Sequence, residues 1–567
     1  MHTSRREFLN HSMLALAGAE MLSWCGQTTA AAAAQNASIG SHPSSGRSLN
    51  DPHLHLFVDD AEIERSEGLL RVINKPKKRS EPVVVADRPW EGDRAQAWGS
   101  VVQEPDGLLR MWYFSMNTEH FGVTGDRRAE FRDRGGYAYA ESRDGIHWEK
   151  PDLGVVEFRG SKKNNLFYTF SPDGKNLVEL DLARQGFGLP AFDQDGAQIG
   201  VVNNMDGSTV IRDDGEPDPQ KRYKLIANMQ DHRMWRQYML EIYSGVTPEE
   251  SQQASRVFGQ YIDTSPDGIH WTRRPRRVSR GASGDYMVVM RDDRGQKWWL
   301  NERGTPKGGG KPSPALRTSR DLVNWSDSVV MFENGPDSDF GKTFHWHGGF
   351  TPFNYGNLNL GLLEKWPNAG FGATCELVCN RDDEPENWSR VAPGTPFLDI
   401  GPDGSFDRCL IYPTHNPPLR IGDTLYIYYT GSGIRVNANR GIPMAIGVAT
   451  IPVDRFAGMA CWRGPNGKLT TKPVTVSERH LAINVEVLDW DSSEDPPRVA
   501  LTWPDGSPIP GYELENCRAQ IDFNRVYTPI SWSGKDGLSE LQGKPVVLNF
   551  ELPGAILYSY RFSADPV

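Results

Sequence analysis

The chain has 567 residues, of which 38% are hydrophobic and 10% aromatic, and its formal net charge is −11 at pH 7. This length suffices for two to four domains, and the acidic balance argues against nucleic acid, which requires a basic binding face. The 57 glycines and 40 prolines are typical of a fold with many turns.

The first 34 residues predict an export signal. The segment Ser4-Arg5-Arg6-Glu7-Phe8-Leu9 matches a twin-arginine signal, an apolar stretch occupies residues 13–24, and the alanine run at 30–34 suits signal-peptidase cleavage. Because the apolar stretch is too short to span a bilayer, we expect a protein without a membrane span, exported by the twin-arginine pathway to the periplasm or beyond the cell. Residues 35–53, rich in Ser, Gly and Asn, predict a flexible leader.

Five cysteines remain after such cleavage, an odd number at irregular spacing. This pattern does not indicate a disulfide framework. Within one strand, Cys375 and Cys379 would hold their Cα atoms about 13 Å apart, which is too far for a bridge. We therefore expect buried free thiols.

A short phrase recurs four times along the chain. It reads SRDGIHW at 142–148, SPDGIHW at 265–271 and SRDLVNW at 319–325, and a longer version joins Asn380-Arg381-Asp382 to Trp388. In such a turn the Asp side chain accepts hydrogen bonds from the turn's own amides and Gly takes a positive φ angle. We assign structural roles to the four aspartates, which are Asp144, Asp267, Asp321 and Asp382. Repetition of this unit with strands between the copies indicates a β-propeller.

Five aromatic or apolar strand signals, each preceded by a turn rich in Asp, Gly or Asn, give the number of blades. They begin at Met111, Tyr223, Trp298, Leu358 and Tyr426. We predict an all-β fold: a five-bladed β-propeller over residues 54–455, in which residues 54–60 join the last blade and one short helix lies within 239–256. Alternating segments such as 481–487 then predict a C-terminal β-sandwich at 456–567.

Functional residues are expected where the inner strand of each blade begins, close to the central channel. Reading back from the five strand signals gives, blade by blade, the candidates Trp90, Glu91, Asp93 and Trp98; Asn203 and Asn204; Asp285; His345 and His347; and Asp407. The neighbouring strands add Glu302, Arg303, Glu364, Glu376 and His415.

Carboxylates together with His, Arg and Trp suit a sugar substrate. One carboxylic acid protonates the glycosidic oxygen and another carboxylate acts as base or nucleophile, while aromatic faces and cationic groups hold the sugar. The predicted catalytic carboxylates are Asp285, Asp407, Glu302 and Glu376. The predicted substrate-binding residues are Trp90, Glu91, Asp93, Arg303, His347, Glu364 and His415.

The turn repeats and aromatic strands resemble the five-bladed propellers of glycoside hydrolase families 32, 43 and 68, which include invertases and arabinanases. The resemblance covers residues 55–565 and implies a secreted enzyme that acts on an oligo- or polysaccharide. The segment Asp87-Arg88-Pro89-Trp90-Glu91 is similar to an Asp-x-Pro-Trp-Glu segment of secreted bacterial propeller proteins of uncharacterised activity. The invertase motif Asn-Asp-Pro-Asn-Gly is absent, and Cys375-Glu376 reverses the Glu-Cys pair of those enzymes.

Two other functions stay open. A propeller that binds carbohydrate without hydrolysing it would keep the same residues, and the absent invertase motif favours this alternative. A polysaccharide lyase would use Tyr or His with a neutralising cation, for which His345, His347 and His415 are available. We expect a carbohydrate partner, no nucleic acid, no catalytic cofactor or metal, and room only for a structural Ca²⁺.

Overall fold

The structure, a computed structural model, describes residues 49–116, 136–175, 188–235, 246–280, 287–304, 313–332, 344–367, 372–434, 443–462, 467–488, 496–522 and 525–566. The predicted signal at 1–34 and the predicted leader up to residue 48 lie outside these ranges. Residues 49–53 of the predicted leader are described, and Asp51 N donates a hydrogen bond of 3.2 Å to Gly356 O.

The described chain is almost entirely β-structure, arranged in antiparallel sheets. Its one α-helix, α1 (Pro248–Ser255), lies within the range predicted for a helix and begins after Thr247, whose side chain accepts from Glu250 N. The Glu250 side chain in turn accepts from Thr247 N, which completes a capping box. Within the described ranges, 3₁₀ helices occur at Pro219–Lys221, His232–Trp235, Leu514–Asn516 and Ser539–Leu541. All five described cysteines are buried and free, as predicted.

Four short strands come first in the chain. They are β1 (Leu54–Leu56), β2 (Ile63–Glu67), β3 (Leu70–Ile73) and β4 (Lys77–Lys78). The first three pair with C-terminal strands and the fourth with a strand near residue 450, so this segment links distant parts of the chain.

Five sheets then follow in chain order, and the main strands of each sheet form an antiparallel meander. The first contains β5 (Arg94–Gln96), β6 (Val101–Gln103), β7 (Leu109–Met116), β8 (Tyr137–Ser142) and β9 (Leu166–Tyr168). The second contains β10 (Leu189–Phe192), β11 (Gln198–Val202), β12 (Asn204–Arg212), β13 (Tyr223–Gln230), β14 (Gly259–Ser265) and β15 (Arg276–Arg280). In the second sheet, β10 and β11 extend the outer edge beyond β15, with β10 parallel to β15.

The third to fifth sheets repeat this plan. The third is β16 (Met287–Asp292), β17 (Lys297–Gly304), β18 (Ser313–Ser319) and β19 (Val329–Val330). The fourth is β20 (Phe344–Tyr355), β21 (Leu358–Pro367), β22 (Thr374–Asn380) and β23 (Ser389–Arg390). The fifth is β24 (Leu410–Pro413), β25 (Leu419–Ile421), β26 (Thr424–Ser432) and β27 (Ala445–Pro452), with β4 on its outer edge. The five predicted strand signals form β7, β13, β17, β21 and β26, the second main strand of each sheet.

Hydrogen bonds near β5, β12, β16, β20 and β24, here called the inner strands, join neighbouring sheets. Val210 N donates to Ser100 Oγ between the second and first sheets, and Val289 N donates to Thr209 Oγ1 between the third and second. The remaining junctions are closed by Asp293 N to Asn354 Oδ1, Thr351 Oγ1 to Thr414 O, and His415 N to Gly99 O. The contacts therefore run from the first sheet to the fifth and back to the first.

The first three copies of the recurring turn fold alike and their aspartates are structural, as predicted, whereas in the longer fourth copy Asp382 accepts from Glu384 N and Asn387 Nδ2. In the first copy, Asp144 Oδ1 accepts from Ile146 N and His147 N, both at 2.8 Å, and Gly145 has a φ angle of +77°. The second and third copies repeat these contacts through Asp267 and Asp321.

Each of these turns also contacts the preceding sheet. Gly145 O accepts from Tyr428 OH of the fifth sheet at 2.9 Å, and Gly268 O accepts from Trp112 Nε1 of the first sheet at 2.8 Å. Leu322 of the third copy belongs to an apolar cluster with Ile226 of the second sheet. The turns therefore hold neighbouring sheets together.

The C-terminal strands form two further sheets. The strands of this region are β28 (Ala457–Ala460), β29 (Gly467–Thr471), β30 (Val474–Thr475), β31 (His480–Val487), β32 (Arg498–Thr502), β33 (Cys517–Ala519), β34 (Thr528–Trp532), β35 (Pro545–Leu552) and β36 (Ala555–Ser563). One sheet has the order β3-β28-β36-β31-β34-β33 with β1 on β36, and the other has the order β2-β29-β35-β30 with β32 on β35.

The assignment of residues 54–60 to the last blade is wrong. Leu54–Leu56 pairs with β36, and Leu54 and Leu56 are buried there because both side chains join an apolar core. The fifth sheet instead gains β4, followed by backbone hydrogen bonds from Val83 and Val84 to Ile446 O.

Candidate functional site at the starts of the inner strands

The inner strands begin at the same end of the five sheets, because the hydrogen bonds that join them lie at one level along each strand. The second strand of each sheet is antiparallel to its inner strand and therefore ends there. Side chains before each junction and at the ends of β13, β17 and β21 consequently share this end of the molecule.

Glu302 is the most unusual carboxylate at this end. It lies near the end of β17, opposite Met287, and is 2% exposed. Its Oε1 accepts from Arg317 Nε at 2.9 Å, whereas Oε2 has no hydrogen-bond partner among the described residues. A buried carboxylate with an unused oxygen is costly unless a ligand or water completes it.

Arg317 connects this carboxylate to the second sheet. Its Nη1 donates to Ser279 Oγ at 3.2 Å, while its Nε holds Glu302. Arg317 therefore links Glu302 of the third sheet to the second sheet.

A row of polar side chains on the second sheet continues from this contact. Asp206, Asn228, Gln260 and Ser279 stand opposite one another on adjacent strands, so their side chains share one face. Deeper on the same face, Ile226 and Ile262 pack against apolar residues of the third sheet, including Met287 and Leu300. The junction between these two sheets is therefore apolar in its interior and polar at the end that holds Glu302.

Asp206 is the second carboxylate of this polar region. It is partly exposed, and its Oδ2 accepts from Gln230 Nε2 at 2.6 Å and from Asn204 Nδ2 at 3.0 Å. Close by in sequence, Asp231 is buried and takes two hydrogen bonds from Arg233 Nε and Nη2, so it forms an ion pair.

Aromatic side chains occupy the same end of the fourth, fifth and first sheets. The ring centroids of Trp366 and Tyr412 are 5.8 Å apart, and those of Tyr412 and Trp98 are 6.3 Å apart. Trp366 Nε1 donates to Glu364 Oε1 at 2.6 Å. A Cβ atom on Gly349 would lie 2.1 Å from Glu364 Oε2, so this buried carboxylate requires glycine beside it.

Two predicted catalytic carboxylates are engaged in ion pairs away from Glu302. Asp407 accepts from Lys78 Nζ at 2.7 Å, Tyr429 OH at 2.9 Å and Ser405 Oγ at 2.8 Å. It therefore sits where β4 closes the fifth sheet.

Glu376 lies on the face of the fourth sheet that packs against the third. It accepts two hydrogen bonds from Arg390, a third from Lys365 Nζ at 2.9 Å, and a fourth from Gly394 N. The predicted catalytic Asp285 lies outside the described residues, and so does the side chain of His347.

The predicted residues of the first sheet are mostly structural. Glu91 is fully buried and accepts from Lys150 Nζ at 2.8 Å, from Tyr113 OH and from the backbone of Asp87 and Arg88. The Asp-x-Pro-Trp-Glu segment therefore folds around its own glutamate.

The other predicted binding residues occupy different positions. Trp90 packs on Phe158 and donates to Asn165 Oδ1 at 2.6 Å. Asp93 is partly exposed directly before β5, and its backbone O accepts from Met444 N. Arg303 alternates with Glu302 and therefore lies on the opposite face of β17.

His415 lies among the inner strands and not on an open surface. It is fully buried, its backbone N–H donates to Gly99 O, and its Nδ1 is 2.7 Å from Ser208 O. Burial lowers the pKa of this imidazole to about 4, so it is neutral at pH 7.

Sequence reasoning missed Asp206 and Arg317. Both lie within strands, whereas the pattern that predicts a site residue is a charged residue shortly before an apolar run. The signal for Asp206 is its place in a largely polar run, Asn203-Asn204-Met205-Asp206, at the start of a strand. Arg317 gives no comparable signal, because its link to Glu302 depends on strand register.

The described residues bear on two further points, metal binding and membrane-spanning helices. Within them, no group of three or more His, Cys, Asp or Glu side chains is placed to hold a metal ion. No helix in the described part of the chain is long and apolar enough to cross a membrane.

Comparisons with known proteins find similarities only to solved structures, and at low sequence identity. No protein-family model and no curated protein matches the chain. Among solved structures, a β-1,2-mannobiose phosphorylase from Listeria innocua is similar with a TM-score of 0.41 and 13% identity, covering 68% of this chain and 98% of that one. A thermostable family-43 glycoside hydrolase has a TM-score of 0.38 and 12% identity, covering 67% and 95%.

A third likeness spans more of the chain. The family-32 β-fructofuranosidase BmSUC1 of Bombyx mori has a TM-score of 0.31 and 10% identity, covering 87% of this chain and 95% of that one. At such TM-scores and identities these likenesses assign neither an activity nor a substrate. The chain is thus similar, at low identity, to solved structures of glycoside hydrolases and other carbohydrate-active enzymes.

Proposed function

We propose that the five meander sheets are the blades of one β-propeller and that the two C-terminal sheets form a β-sandwich that includes β1 to β3. The closed series of hydrogen bonds between inner strands supports the first part. The pairing of β1 with β36, β2 with β29 and β3 with β28 supports the second. The propeller then occupies residues 74–455, a revision of the predicted 54–455.

The proposed function is hydrolysis of an oligo- or polysaccharide at the start of the inner strands. One observation carries it: Glu302 is a buried carboxylate with one oxygen fixed by Arg317 and the other without a hydrogen-bond partner among the described residues. A positioned carboxylate of this kind suits the base or nucleophile of a glycosidase.

The second carboxylate of the proposed pair is Asp206. In an inverting reaction, Glu302 takes a proton from water, the water oxygen attacks the anomeric carbon, and the protonated acid gives its proton to the departing glycosidic oxygen. Asp206 is partly exposed on the same polar face of the second sheet as Ser279, which Arg317 contacts, and this position supports it as the acid. Asp285, two residues before β16 in the sequence, stays a prediction for the same role.

The sugar would be held by the aromatic side of this end. Trp98 is partly exposed at this end, Tyr412 and Trp366 are buried and pack behind it, and Glu364 fixes the Trp366 indole. Aromatic rings of this type offer large apolar contact area with a polar edge. The proposed enzyme is exported by the twin-arginine pathway and needs no cofactor.

The test is activity of the purified protein on a panel of polysaccharides and aryl glycosides, followed by release of reducing ends. Glu302→Gln should lower turnover by at least about a hundredfold, the scale for losing a positioned acid or base. The matched control Glu149→Gln, at an exposed carboxylate, should retain wild-type turnover. Wild-type turnover in folded Glu302→Gln would exclude this role.

A second candidate is a carbohydrate-binding propeller without catalysis. Its support is that Glu91, Glu376 and Asp407 are all engaged in structural ion pairs or hydrogen bonds. Saturable binding of a polysaccharide by the wild type, with no product from any substrate of the panel, would favour this function over hydrolysis.

A further inference from the structure

A cavity of about 200 Å³ lies at the opposite end of the five sheets from Glu302. Tyr355, the last residue of β20, lines it together with residues of β25, β36 and the segment before β1. The cavity therefore lies where the fourth and fifth sheets meet the C-terminal sheets. Its polar lining residues are Asn50, Asp51, Tyr355, Arg420, Asp454 and Arg561.

The carboxylates of this cavity already have partners. Asp454 is 2% exposed and accepts from Tyr355 OH at 2.6 Å and from Tyr527 OH. Asp51 accepts from His53 N at 3.0 Å and from Arg561 Nη2 at 2.9 Å. Four hydrogen bonds thus occupy the acceptors that a cationic ligand would need.

The guanidinium groups of Arg420 and Arg561 have N–H donors that are not fully used in hydrogen bonds. Arg561 Nε is buried and has no hydrogen-bond partner among the described residues. Arg420 donates from Nε to Gly422 O at 3.0 Å and makes only a long contact of 3.5 Å with Asp423, whose side chain is 71% exposed. A buried donor without an acceptor favours a ligand that supplies one.

We propose that this cavity binds a small oxyanion, such as the carboxylate of a sugar acid or an inorganic oxyanion, between Arg420 and Arg561. The planar guanidinium presents paired N–H donors that match the oxygens of such anions. The site is separate from the proposed hydrolytic centre. A bound anion would contact both the fifth sheet and β36, and so hold the two parts of the molecule together.

Binding should strengthen as the pH falls from 7.5 to 5.5. Burial raises the pKa of Asp454 to about 6, so this window removes one negative charge from the lining. The groups that face Asp454 are Tyr355, Tyr527, Arg420, Arg561 and Asp51. Burial raises the pKa of Tyr355 well above its usual value, so that hydroxyl stays neutral throughout.

The experiment is isothermal titration of the full chain with sodium glucuronate and, separately, with sodium sulfate, at constant ionic strength and at pH 5.5 and 7.5. We expect saturable binding of at least one anion, tighter at pH 5.5. Binding of glucuronate alone identifies an organic carboxylate as the ligand, and binding of sulfate alone identifies an inorganic oxyanion.

Variants decide whether the anion sits in this cavity. Arg420→Gln should weaken binding at least tenfold, and Arg420→Lys, which keeps the charge but loses the planar fork, should give an intermediate affinity. The control Arg143→Gln, at an arginine that is 66% exposed, should bind like the wild type. Glu302→Gln should also bind like the wild type, which separates this site from the proposed hydrolytic one.

Three results would overturn the proposal. They are absence of saturable binding by the folded wild type at pH 5.5, unchanged affinity in Arg420→Gln, and an equal loss of affinity in Arg143→Gln. If Arg420→Gln does not fold, Arg420→Lys carries the comparison alone, and wild-type affinity in that variant would count against the site.

Discussion

Two buried glutamates on neighbouring sheets illustrate how hydrogen bonding separates a candidate catalytic group from a structural one. Glu302 has one oxygen engaged by Arg317 and one without a partner among the described residues. Glu376 has both oxygens engaged, with Arg390 bidentate at 2.7 and 2.9 Å and Lys365 Nζ at 2.9 Å. Only the first has an oxygen available for a ligand.

Glu376→Gln should therefore act on stability. Removing one partner of a buried ion pair leaves charge uncompensated, at a cost of about 3–5 kcal/mol in the free energy of unfolding. Urea denaturation should show this loss, while turnover per folded molecule stays near that of the wild type. Loss of turnover by a hundredfold without loss of stability would instead return Glu376 to the catalytic role predicted from sequence.

Asp454 makes stability depend on pH with a definite sign. Burial raises the pKa of this carboxyl to about 6, well above its ordinary value of 3.8. Between these values the folded protein binds more protons than the unfolded chain, so the contribution is fully present below pH 3.8 and is lost as the pH rises through 6. The difference is on the order of 3 kcal/mol.

Asp454→Asn should remove this slope. Urea denaturation between pH 4.5 and 7.5 should show the wild type losing stability relative to the variant as the pH rises. Parallel stability curves for the two proteins across this window would show that Asp454 does not titrate there.

At the scale of elements, the recurring Asp-containing turns make the same kind of contact between one sheet and the next. Gly268 has a φ angle of +76°, and an added Cβ would lie 2.7 Å from Trp112 Cζ2. Trp112 is 1% exposed and donates to Gly268 O, so it has little freedom to move. The backbone angle favours glycine here, and the close contact with Trp112 leaves no room for a side chain.

Gly268→Ala should therefore be more destabilising than a glycine change in open space. Gly154 has a φ angle of +71° with no atom within 4 Å of the added Cβ, so Gly154→Ala should cost about 1–2 kcal/mol from the backbone alone. Gly268→Ala adds the displacement of a packed indole, for a total of roughly 3 kcal/mol or more. Equal shifts of the urea midpoint in the two variants would contradict this role for the turn.

The elements were largely predictable because their signals are local. The Asp-Gly-Trp turns and the aromatic second strands depend on neighbours within a few residues, and both fold as predicted. The pairing of residues 54–56 was not predictable in this way, because Leu54-His55-Leu56 has the alternation of any half-buried strand. Its partner β36 lies about 500 residues away, and only the packed core selects it.

The candidate site was less predictable because it, too, depends on contacts between residues that are distant in sequence. Glu302 could be named from its position at the end of an aromatic strand, but its significance depends on Arg317 and on the polar row of the second sheet. Position before an apolar run also selected Asp407, which the fold places beside Lys78. The sequence shows where charged residues lie along the chain. The register of the strands and the pairing of β4 with the fifth sheet decide which of these residues form ion pairs.

On the scale of the whole molecule, the segment from residue 54 to 84 joins its two parts. It contributes β1 to β3 to the C-terminal sheets and β4 to the fifth sheet. Arg381 adds a link from the fourth sheet, with hydrogen bonds to Asp59, Glu62 and Leu56 O. Although burial opposes its ionisation, hydrogen bonds and charges from His55 and Arg381 lower the pKa of Glu62 to about 2.

Lys78 joins the outer edge of the fifth sheet to a buried carboxylate. Its Nζ donates to Asp407 Oδ2 at 2.7 Å and to Asp399 O at 2.6 Å, and Asp407 is 3% exposed. Lys75, three residues earlier, pairs with Asp399 in solvent, where the two side chains are 48% and 41% exposed. The same segment thus carries one buried and one exposed ion pair.

Lys78→Ala should destabilise the whole molecule, because it leaves the buried Asp407 carboxylate without its cation, at a cost of about 3–5 kcal/mol. Lys75→Ala should change stability by no more than about 1 kcal/mol, since exposed pairs contribute little. Asp407→Asn combined with Lys78→Met should cost less than the sum of the single changes, because the residues are in contact. Urea denaturation measures these variants together with Asp407→Asn and Lys78→Met alone, and hydrogen exchange at the amides of β27 reports on the closing strand. If Lys78→Ala is as mild as Lys75→Ala, the fifth sheet is held by backbone pairing alone, and Asp407 again becomes available for the catalytic role predicted from the sequence.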